Sequence, residues 1–267
     1  MMDKRFKVLA GVFCLLLVLL VTVFLVVSFW DRLFPKSGEI EESGRVEVAT
    51  PTTETVGMRE ETEKYSIEVD FPGFLGNEGA VKASATLLSE IQAVMEQFKA
   101  RANEVTGDYP IELKSELDID YNVVLLNSKL VSVRLVGSEY ITGAAHPNNY
   151  YLTFNYDFDS QKELEFSDLF KEGSNYLKIV SDRAVADLKN RFEEMYGEGA
   201  EANFDWIENG AGPRIENYQK ITLSREALTI YFDPYQVAAY AAGGQEVKIP
   251  YESMSAILKT EIVAAVQ

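Results

Sequence analysis

The sequence predicts an α+β protein with an N-terminal transmembrane helix, followed by helices packed on antiparallel sheet in two sequential halves. Three observations predict this. An uncharged run of 23 residues lies near the N-terminus, and a polar stretch without period follows it. From residue 63 onward, segments that alternate every two residues are interspersed with segments of helical period. The hydrophobic content of 47% is ample for a core.

The uncharged run covers residues 8–30, and a helix of 23 residues is long enough to cross a hydrocarbon core of about 30 Å. Three of the four charged residues before it are basic, whereas Asp31 and Arg32 balance after it. The positive-inside rule therefore places residues 1–7 in the cytoplasm and the C-terminal domain outside it. A cleaved signal peptide is the alternative, but the run exceeds a usual h-region and has no A-x-A-like site.

Residues 31–62 are rich in Glu, Thr, Ser, Gly and Pro and keep no hydrophobic period, which predicts a disordered tether. The globular part is then expected to comprise a first half over residues 63–160 and a second half over residues 161–267.

The first half begins with the alternating segment YSIEVDFP, a predicted strand that Pro72 ends. A helix is predicted next, because apolar residues recur at spacings of three and four. Short connections between the following strands predict an antiparallel meander. The predicted helix covers residues 77–103, and the predicted strands cover 117–126, 130–141 and 149–158.

In the second half, Ser167 is expected to cap a short helical turn, and a longer amphipathic helix is predicted over residues 174–196. Its predicted buried face includes Met195. Three strands and a closing helix from Tyr251 complete the prediction, the strands covering 220–223, 227–232 and 246–249.

The formal net charge is −17, so a nucleic-acid-binding role is disfavoured. Such a charge would attract cationic partners, although its commonest interpretation is simply a soluble surface. The only cysteine, Cys14, lies in the apolar run, so no disulfide is expected in the outer domain. The only histidine, His146, excludes a zinc site that needs two or more His or Cys ligands. The acidic residues fit no calcium loop, and neither a metal nor a cofactor is predicted.

The segment GAAHPNNY at residues 143–150 places the only histidine in a turn of small residues between two strands. Here His146 could act as a general base or contact a ligand together with Asn148 and Tyr150. Alternatively, His146 is a structural turn residue whose ring nitrogens bond nearby backbone.

A second segment, FDPYQVAAYAAGG at residues 232–244, concentrates aromatic and small residues between two strands. Tyr235 and Tyr240 could present their rings to a sugar or a protein partner, because tyrosine offers a large rigid contact area with a polar tip. They could equally pack beneath a long loop.

In their order, the segments GAAHPNNYYLTFNYDF, LEFSDLF and LTIYFDPYQVAAYAAGGQEVKIPY resemble a known extracytoplasmic domain. That domain is shared by RsiV, the lysozyme-sensing anti-sigma factor, and the N-terminal part of PdaC-type peptidoglycan deacetylases. The resemblance covers roughly residues 63–260. It implies an α+β fold without catalytic residues of its own, tethered at a bacterial surface and, in the sensor, binding lysozyme.

This sequence departs from both relatives. Only about seven residues precede the apolar run, too few to hold a sigma factor, and the sequence lacks the His-rich metal motif of the deacetylases. We therefore expect a membrane-anchored, non-catalytic module that binds a peptidoglycan fragment, another cell-wall component or a cationic wall-acting protein such as lysozyme. The alternatives are a cell-surface hydrolase using His146 with a carboxylate or hydroxyl, and a structural or assembly protein of the envelope.

Overall fold

The computed structural model describes residues 50–107, 110 and 113–267, and residues 48–267 form one compact unit. The predicted cytoplasmic tail, transmembrane helix and residues 31–49 of the predicted tether lie outside the described residues. Within the part of the chain that is described, no helix is long and apolar enough to cross a membrane.

A six-stranded sheet, here called the large sheet, has the strand order β1-β2-β3-β4-β5-β6. Its neighbours pair antiparallel except β2 and β3, which are parallel. The strands are β1 (Thr52–Glu61), β2 (Tyr65–Leu75), β3 (Ser115–Leu126), β4 (Leu130–Tyr140), β5 (Asn148–Asp157) and β6 (Lys162–Glu163).

The predicted disordered tether is wrong for residues 52–61, which form β1 and pair with β2 along their whole length. The apolar side chains Val56 and Met58 of this segment pack against the apolar core between the large sheet and the helix that follows β2, here called the first core. These two side chains alternate with polar neighbours over only a few residues. An alternating segment this short does not stand out in a stretch otherwise rich in Thr and Glu, so the strand was not predicted.

The prediction that the sheet is entirely antiparallel is wrong for β2 and β3. Helix α1 (Glu78–Glu104) connects them, and a helical crossover is the usual connection between parallel strands. Pro72 does not end β2. Since β3 pairs with β2 only through Val69, the missing N–H of Pro72 costs no ladder hydrogen bond on that side.

Helix α1 covers one face of the large sheet, as its apolar face predicts. The Asn77 side chain caps it by accepting a hydrogen bond from the Ala80 N–H at 2.8 Å. Inside the helix, the buried Ser84 hydroxyl donates to the Phe74 carbonyl at 2.9 Å and fixes the helix to the end of β2. The first core contains the predicted residues Ala83, Leu87, Ile91, Met95 and Phe98.

The second core lies between helix α2 (Tyr176–Tyr196) and one face of a three-stranded antiparallel sheet, here called the small sheet. Met195 is 66% exposed, contrary to its predicted burial, because the buried stripe of α2 ends at Phe192. The small sheet comprises β7 (Ile221–Leu223), β8 (Ala227–Phe232) and β9 (Gln245–Pro250), and the other helices are α3 (Phe204–Gly210) and α4 (Thr260–Ala265). The residue that caps the 3-10 turn Phe166–Leu169 is Glu165, and Ser167, the predicted cap, lies inside the turn.

The two sheets meet through a polar junction between the open edge of β7 and the face of the large sheet that α1 leaves free. The Asn155 amide donates to the Ile221 carbonyl at 2.9 Å, and the Ser132 hydroxyl donates to the Asn155 side-chain oxygen at 2.7 Å. The Leu223 N–H donates to the Ser132 hydroxyl at 2.8 Å, and the Ile221 N–H to the Thr153 hydroxyl at 3.2 Å. Side chains of the large sheet thus satisfy backbone groups that an edge strand leaves open.

We predict that Asn155→Leu lowers the free energy of unfolding by about 2–4 kcal/mol, because it leaves the buried Ile221 carbonyl without this donor and the Ser132 hydroxyl without its acceptor. Urea unfolding of residues 48–267 measures the change. The matched control is Asn122→Leu on β3, where the side chain is exposed and a change within about 0.5 kcal/mol is expected. Equal losses in the two variants would contradict the role assigned to the junction.

A second prediction concerns pH. Desolvation and the neighbouring Glu163 carboxyl raise the pKa of Glu90 on α1 to about 8, from an ordinary value of 4.5. The folded protein therefore holds a proton that the unfolded chain releases, so stability falls as pH rises from about 4.5 to 8. Solvent screening moderates the effect, because Glu90 is exposed.

Thermal unfolding between pH 5 and pH 9 tests this, and Glu90→Gln should flatten the fall in Tm with rising pH. The control Glu104→Gln removes an exposed carboxylate from the same helix and should keep the wild-type slope. A wild-type slope in the Glu90→Gln variant would contradict the assignment.

Candidate functional site

The two loops singled out in the sequence converge at one place. One loop connects β4 to β5 and carries His146, and the other connects β8 to β9 and carries Tyr235 and Tyr240. Asp233, at the start of the second loop, accepts a hydrogen bond from the Tyr151 N–H of β5 at 2.8 Å and forms a salt bridge with Lys220. These contacts fix the second loop against the strand that begins next to His146.

His146, Tyr235 and Tyr240 form an aromatic cluster. The His146 ring stacks on the Tyr240 ring with centroids 4.1 Å apart and an interplanar angle of 28°. Tyr235 lies 5.4 Å from Tyr240 and 6.4 Å from His146, with interplanar angles of 33° and 32°. His146 and Tyr240 are therefore stacked, and Tyr235 is tilted from both. His146 and Tyr235 are exposed whereas Tyr240 is half-buried.

The Tyr240 hydroxyl ties the two loops together. It donates to the Pro147 carbonyl at 2.8 Å and accepts a hydrogen bond from the Asn149 amide at 3.1 Å. The Tyr240 side chain thus holds the two loops together beneath the exposed rings of His146 and Tyr235.

The backbone of Tyr235 adopts φ +70°, a left-handed conformation that costs a residue with a Cβ roughly 1–2 kcal/mol. Two contacts hold it there. The Trp206 indole N–H on α3 donates to the Tyr235 carbonyl at 2.7 Å, and the Gln236 amide donates to the Gly210 carbonyl at 3.1 Å. A Cβ at Gly210 would overlap the Gln236 carbonyl oxygen, so only glycine permits this close approach.

The chemistry available to His146 is limited. Its Nδ1 donates to the Pro147 carbonyl at 2.8 Å, and its Nε2 lies 3.5 Å from the Tyr235 hydroxyl. Among the hydrogen bonds and salt bridges of the described residues, His146 has no carboxylate partner. The ring therefore lacks the third group that orients a catalytic base, and its contacts match the structural turn residue considered above.

Asn148 and Tyr150 lie apart from the cluster, on the side of β5 that faces α1. Tyr150 pairs with Gly137, where a Cβ would overlap the Tyr150 ring. Burial raises the pKa of Tyr150 to about 12, and its buried hydroxyl has no hydrogen-bond partner among the described residues. Side chains alternate between the two faces of β5, so the sequence already places Tyr150 on the same face as the core residue Phe154. This alternation indicates that Tyr150 does not lie with His146.

Sequence reasoning missed Asn149 and Trp206. Asn149 lies on the opposite face of β5 from Tyr150 and donates to the Tyr240 hydroxyl, as described above. Trp206 is 38% exposed, and large exposure of a tryptophan is uncommon in a soluble domain. The sequence signal was only the presence of a tryptophan in a short polar segment.

An acidic groove lies elsewhere, on β1, β2 and β3, with a cavity volume of about 540 Å³. Glu68, Glu116 and Asp118 line it together with Arg59, which forms a salt bridge with Glu68 at 3.2 Å. Partial burial and the nearby carboxylates of Glu68 and Asp120 raise the pKa of Asp118. In the described part of the chain, no group of three or more His, Cys, Asp or Glu side chains is arranged to hold a metal ion.

Two family models match the chain. Residues 58–149 match the model described as "Deacetylase PdaC", and residues 167–252 match "Protein of unknown function (DUF3298)". The chain is therefore similar to both families, with a PdaC-like first part and a DUF3298-like second part. The His146 turn lies in the first match and the loop with Tyr235 and Tyr240 lies in the second, so the cluster of this PdaC-like domain is assembled across both. The predicted resemblance to PdaC is confirmed, and the resemblance to RsiV stays a prediction.

Relatives of known sequence agree with these matches. The peptidoglycan-N-acetylmuramic acid deacetylase PdaC of Bacillus subtilis is 28% identical over 220 residues, which cover 82% of this chain and 43% of that protein. The chain thus spans less than half the length of PdaC. The immunogenic protein MPT64 of Mycobacterium tuberculosis is 21% identical over 116 residues, covering 43% of this chain and 47% of MPT64.

Solved structures share the fold of the PdaC-like domain. A DUF3298 family member from Bacteroides fragilis has a TM-score of 0.59 at 18% identity and covers 82% of this chain and 98% of its own. A DUF3298 family protein from Pseudomonas aeruginosa has a TM-score of 0.55 at 16% identity and covers 79% and 95%. The predicted α+β class is confirmed.

We predict that Tyr240→Phe loosens both loops, because it removes the hydroxyl that bonds Pro147 and Asn149. A loss of about 1 kcal/mol of local stability corresponds to roughly fivefold faster amide exchange in residues 143–146 and 236–243. Hydrogen exchange measures it. Tyr235→Phe is the control and should exchange like the wild type, since its hydroxyl contact with His146 is long. Equal acceleration in both variants would contradict the assignment.

Proposed function

We propose that this protein is an extracytoplasmic, non-catalytic module that binds a component of the bacterial cell wall through the aromatic cluster. The observation that carries the proposal is the convergence of two distant loops, which brings the exposed rings of His146 and Tyr235 together over Tyr240. The relative PdaC is, by its name, a peptidoglycan deacetylase, which supports a ligand in the cell wall.

Exposed aromatic rings favour binding because burying them against a ligand removes a large apolar area from water at low conformational cost. In the free protein this area stays in contact with water, with Tyr235 51% exposed. The cluster thus has the composition of a binding hot spot, in which tyrosine and tryptophan are enriched.

Binding fits the geometry better than the hydrolase alternative. A general base needs a substrate proton or a nucleophile within about 3.2 Å, and a triad-like base needs an orienting partner. Instead, the Nδ1 of His146 donates to a backbone carbonyl, and its Nε2 lies 3.5 Å from a tyrosine hydroxyl. Its stacking on Tyr240 fits a role in shaping the surface.

The place of action is part of the proposal. Residues 8–30 would anchor the chain in the cell membrane with residues 1–7 in the cytoplasm, so that the domain works on the outer side.

A cationic wall-acting protein is the second candidate ligand, supported by the acidic groove on β1 to β3. The formal net charge of −17 would steer such a partner by long-range attraction. Binding of that kind would weaken strongly with ionic strength, whereas binding at the aromatic cluster would not.

Co-sedimentation of residues 48–267 with purified peptidoglycan tests the proposal, and titration with lysozyme at low and high salt tests the second candidate. We expect micromolar binding to peptidoglycan, weakened at least tenfold by Tyr235→Ala. The control Tyr196→Ala removes an exposed tyrosine outside the cluster and should leave the affinity unchanged. If the wild type does not sediment with peptidoglycan, the proposal fails; salt-sensitive binding to lysozyme alone would favour the second candidate.

A further inference from the structure

We infer that the ligand of the aromatic cluster is the glycan part of the wall, whose pyranose rings stack on Tyr235, His146 and the indole of Trp206. This inference rests on the proposed function and deepens it. It assigns to Trp206 a place in the site and selects sugar rings over the charged stem peptides as the group that is bound.

The exposed aromatic surface extends beyond the cluster to α3. Among the described residues, six large hydrophobic side chains are exposed, and two of these, Trp206 and Tyr235, are joined directly. The indole N–H of Trp206 donates to the Tyr235 carbonyl at 2.7 Å, so the indole is held against the backbone of a residue of the cluster. A tryptophan whose polar N–H is satisfied by protein can offer the rest of its ring to a ligand.

The orientation of the rings suits a flat, uncharged ligand. The three rings of the cluster lie within 28° to 33° of parallel. An aromatic face carries partial negative charge, and the C–H groups on one face of a pyranose ring carry partial positive charge, so the two surfaces attract. Water is displaced from both apolar faces on contact.

Charged ligands find few partners in the cluster. Asp233, the carboxylate that anchors the loop, is already engaged by Lys220 and by the Tyr151 N–H. A stem peptide carries carboxylate and amine groups that would lose water without gaining an opposite charge here. A neutral sugar ring avoids that cost and can exchange its hydroxyl hydrogen bonds with water at the rim.

The site is organised before a ligand arrives. Tyr235 is held at φ +70° although glycine would adopt this backbone conformation at lower cost. Strain that surrounding contacts maintain at an exposed tyrosine indicates that the position of the ring matters more than local stability. A fixed ring also lowers the entropy lost on binding.

Fluorescence of Trp206 tests the inference, because Trp206 is the only tryptophan in residues 48–267 and the other, Trp30, lies before them. The ligand is chitohexaose, a neutral β-1,4-linked N-acetylglucosamine hexamer without peptide, and a free stem peptide is the comparison. We expect a saturable change in emission with chitohexaose and none with the peptide. Saturation by the stem peptide, or by neither ligand, would overturn the inference.

The variant Tyr235→Gly separates binding from folding. It removes the ring and relieves the backbone strain, so we expect chitohexaose affinity to fall at least tenfold while Tm does not fall. The control Tyr196→Ala keeps the cluster and should bind like the wild type. Wild-type affinity in Tyr235→Gly would overturn the inference.

The two proposals can fail separately. If peptidoglycan binds and Tyr235→Ala weakens it, but chitohexaose does not bind, the glycan assignment is wrong and the proposed function stands. If neither binds, both are wrong.

Discussion

The arrangement of this domain depends on the polar junction at which the edge of β7 meets the free face of the large sheet. Ser132 and Asn155 are buried there, and each must find hydrogen-bond partners because an unpaired buried polar group costs about 1–3 kcal/mol. They find them in each other and in the backbone of Ile221 and Leu223. Apolar contacts would allow the small sheet to slide, whereas directional hydrogen bonds to alternate residues of β7 fix its register.

The candidate site follows from that register. Once β7 is fixed on β4 and β5, the next strand of the small sheet delivers Asp233 to the Tyr151 N–H, and the loop that follows meets the turn before β5. The Tyr151 and Tyr231 rings, with centroids 5.0 Å apart, continue the contact between the sheets toward the cluster. The junction thus helps to position the two loops whose His146 and Tyr240 rings stack.

Much of the fold was accessible from periodicity. Helix α1 and strands β4, β5 and β8 were predicted close to their observed bounds, because each has a long, regular pattern of apolar residues. The errors have physical causes. Residues 52–61 became a strand only because β2 offered an open edge, the parallel pairing of β2 and β3 depends on the path of α1, and Met195 is exposed because the second core ends at Phe192.

The sequence by itself determined most of the helices and strands, the acidic charge and the two segments rich in unusual residues, because these depend on local composition and period. Its two-residue alternation along β5 also places Tyr150 on the face that packs in the core. Only the tertiary structure decided that the two segments, almost 90 residues apart, form one cluster and that Trp206 belongs beside it. The reason is that side-chain hydrogen bonds between sheets set this contact, and such bonds leave no periodic trace along the chain.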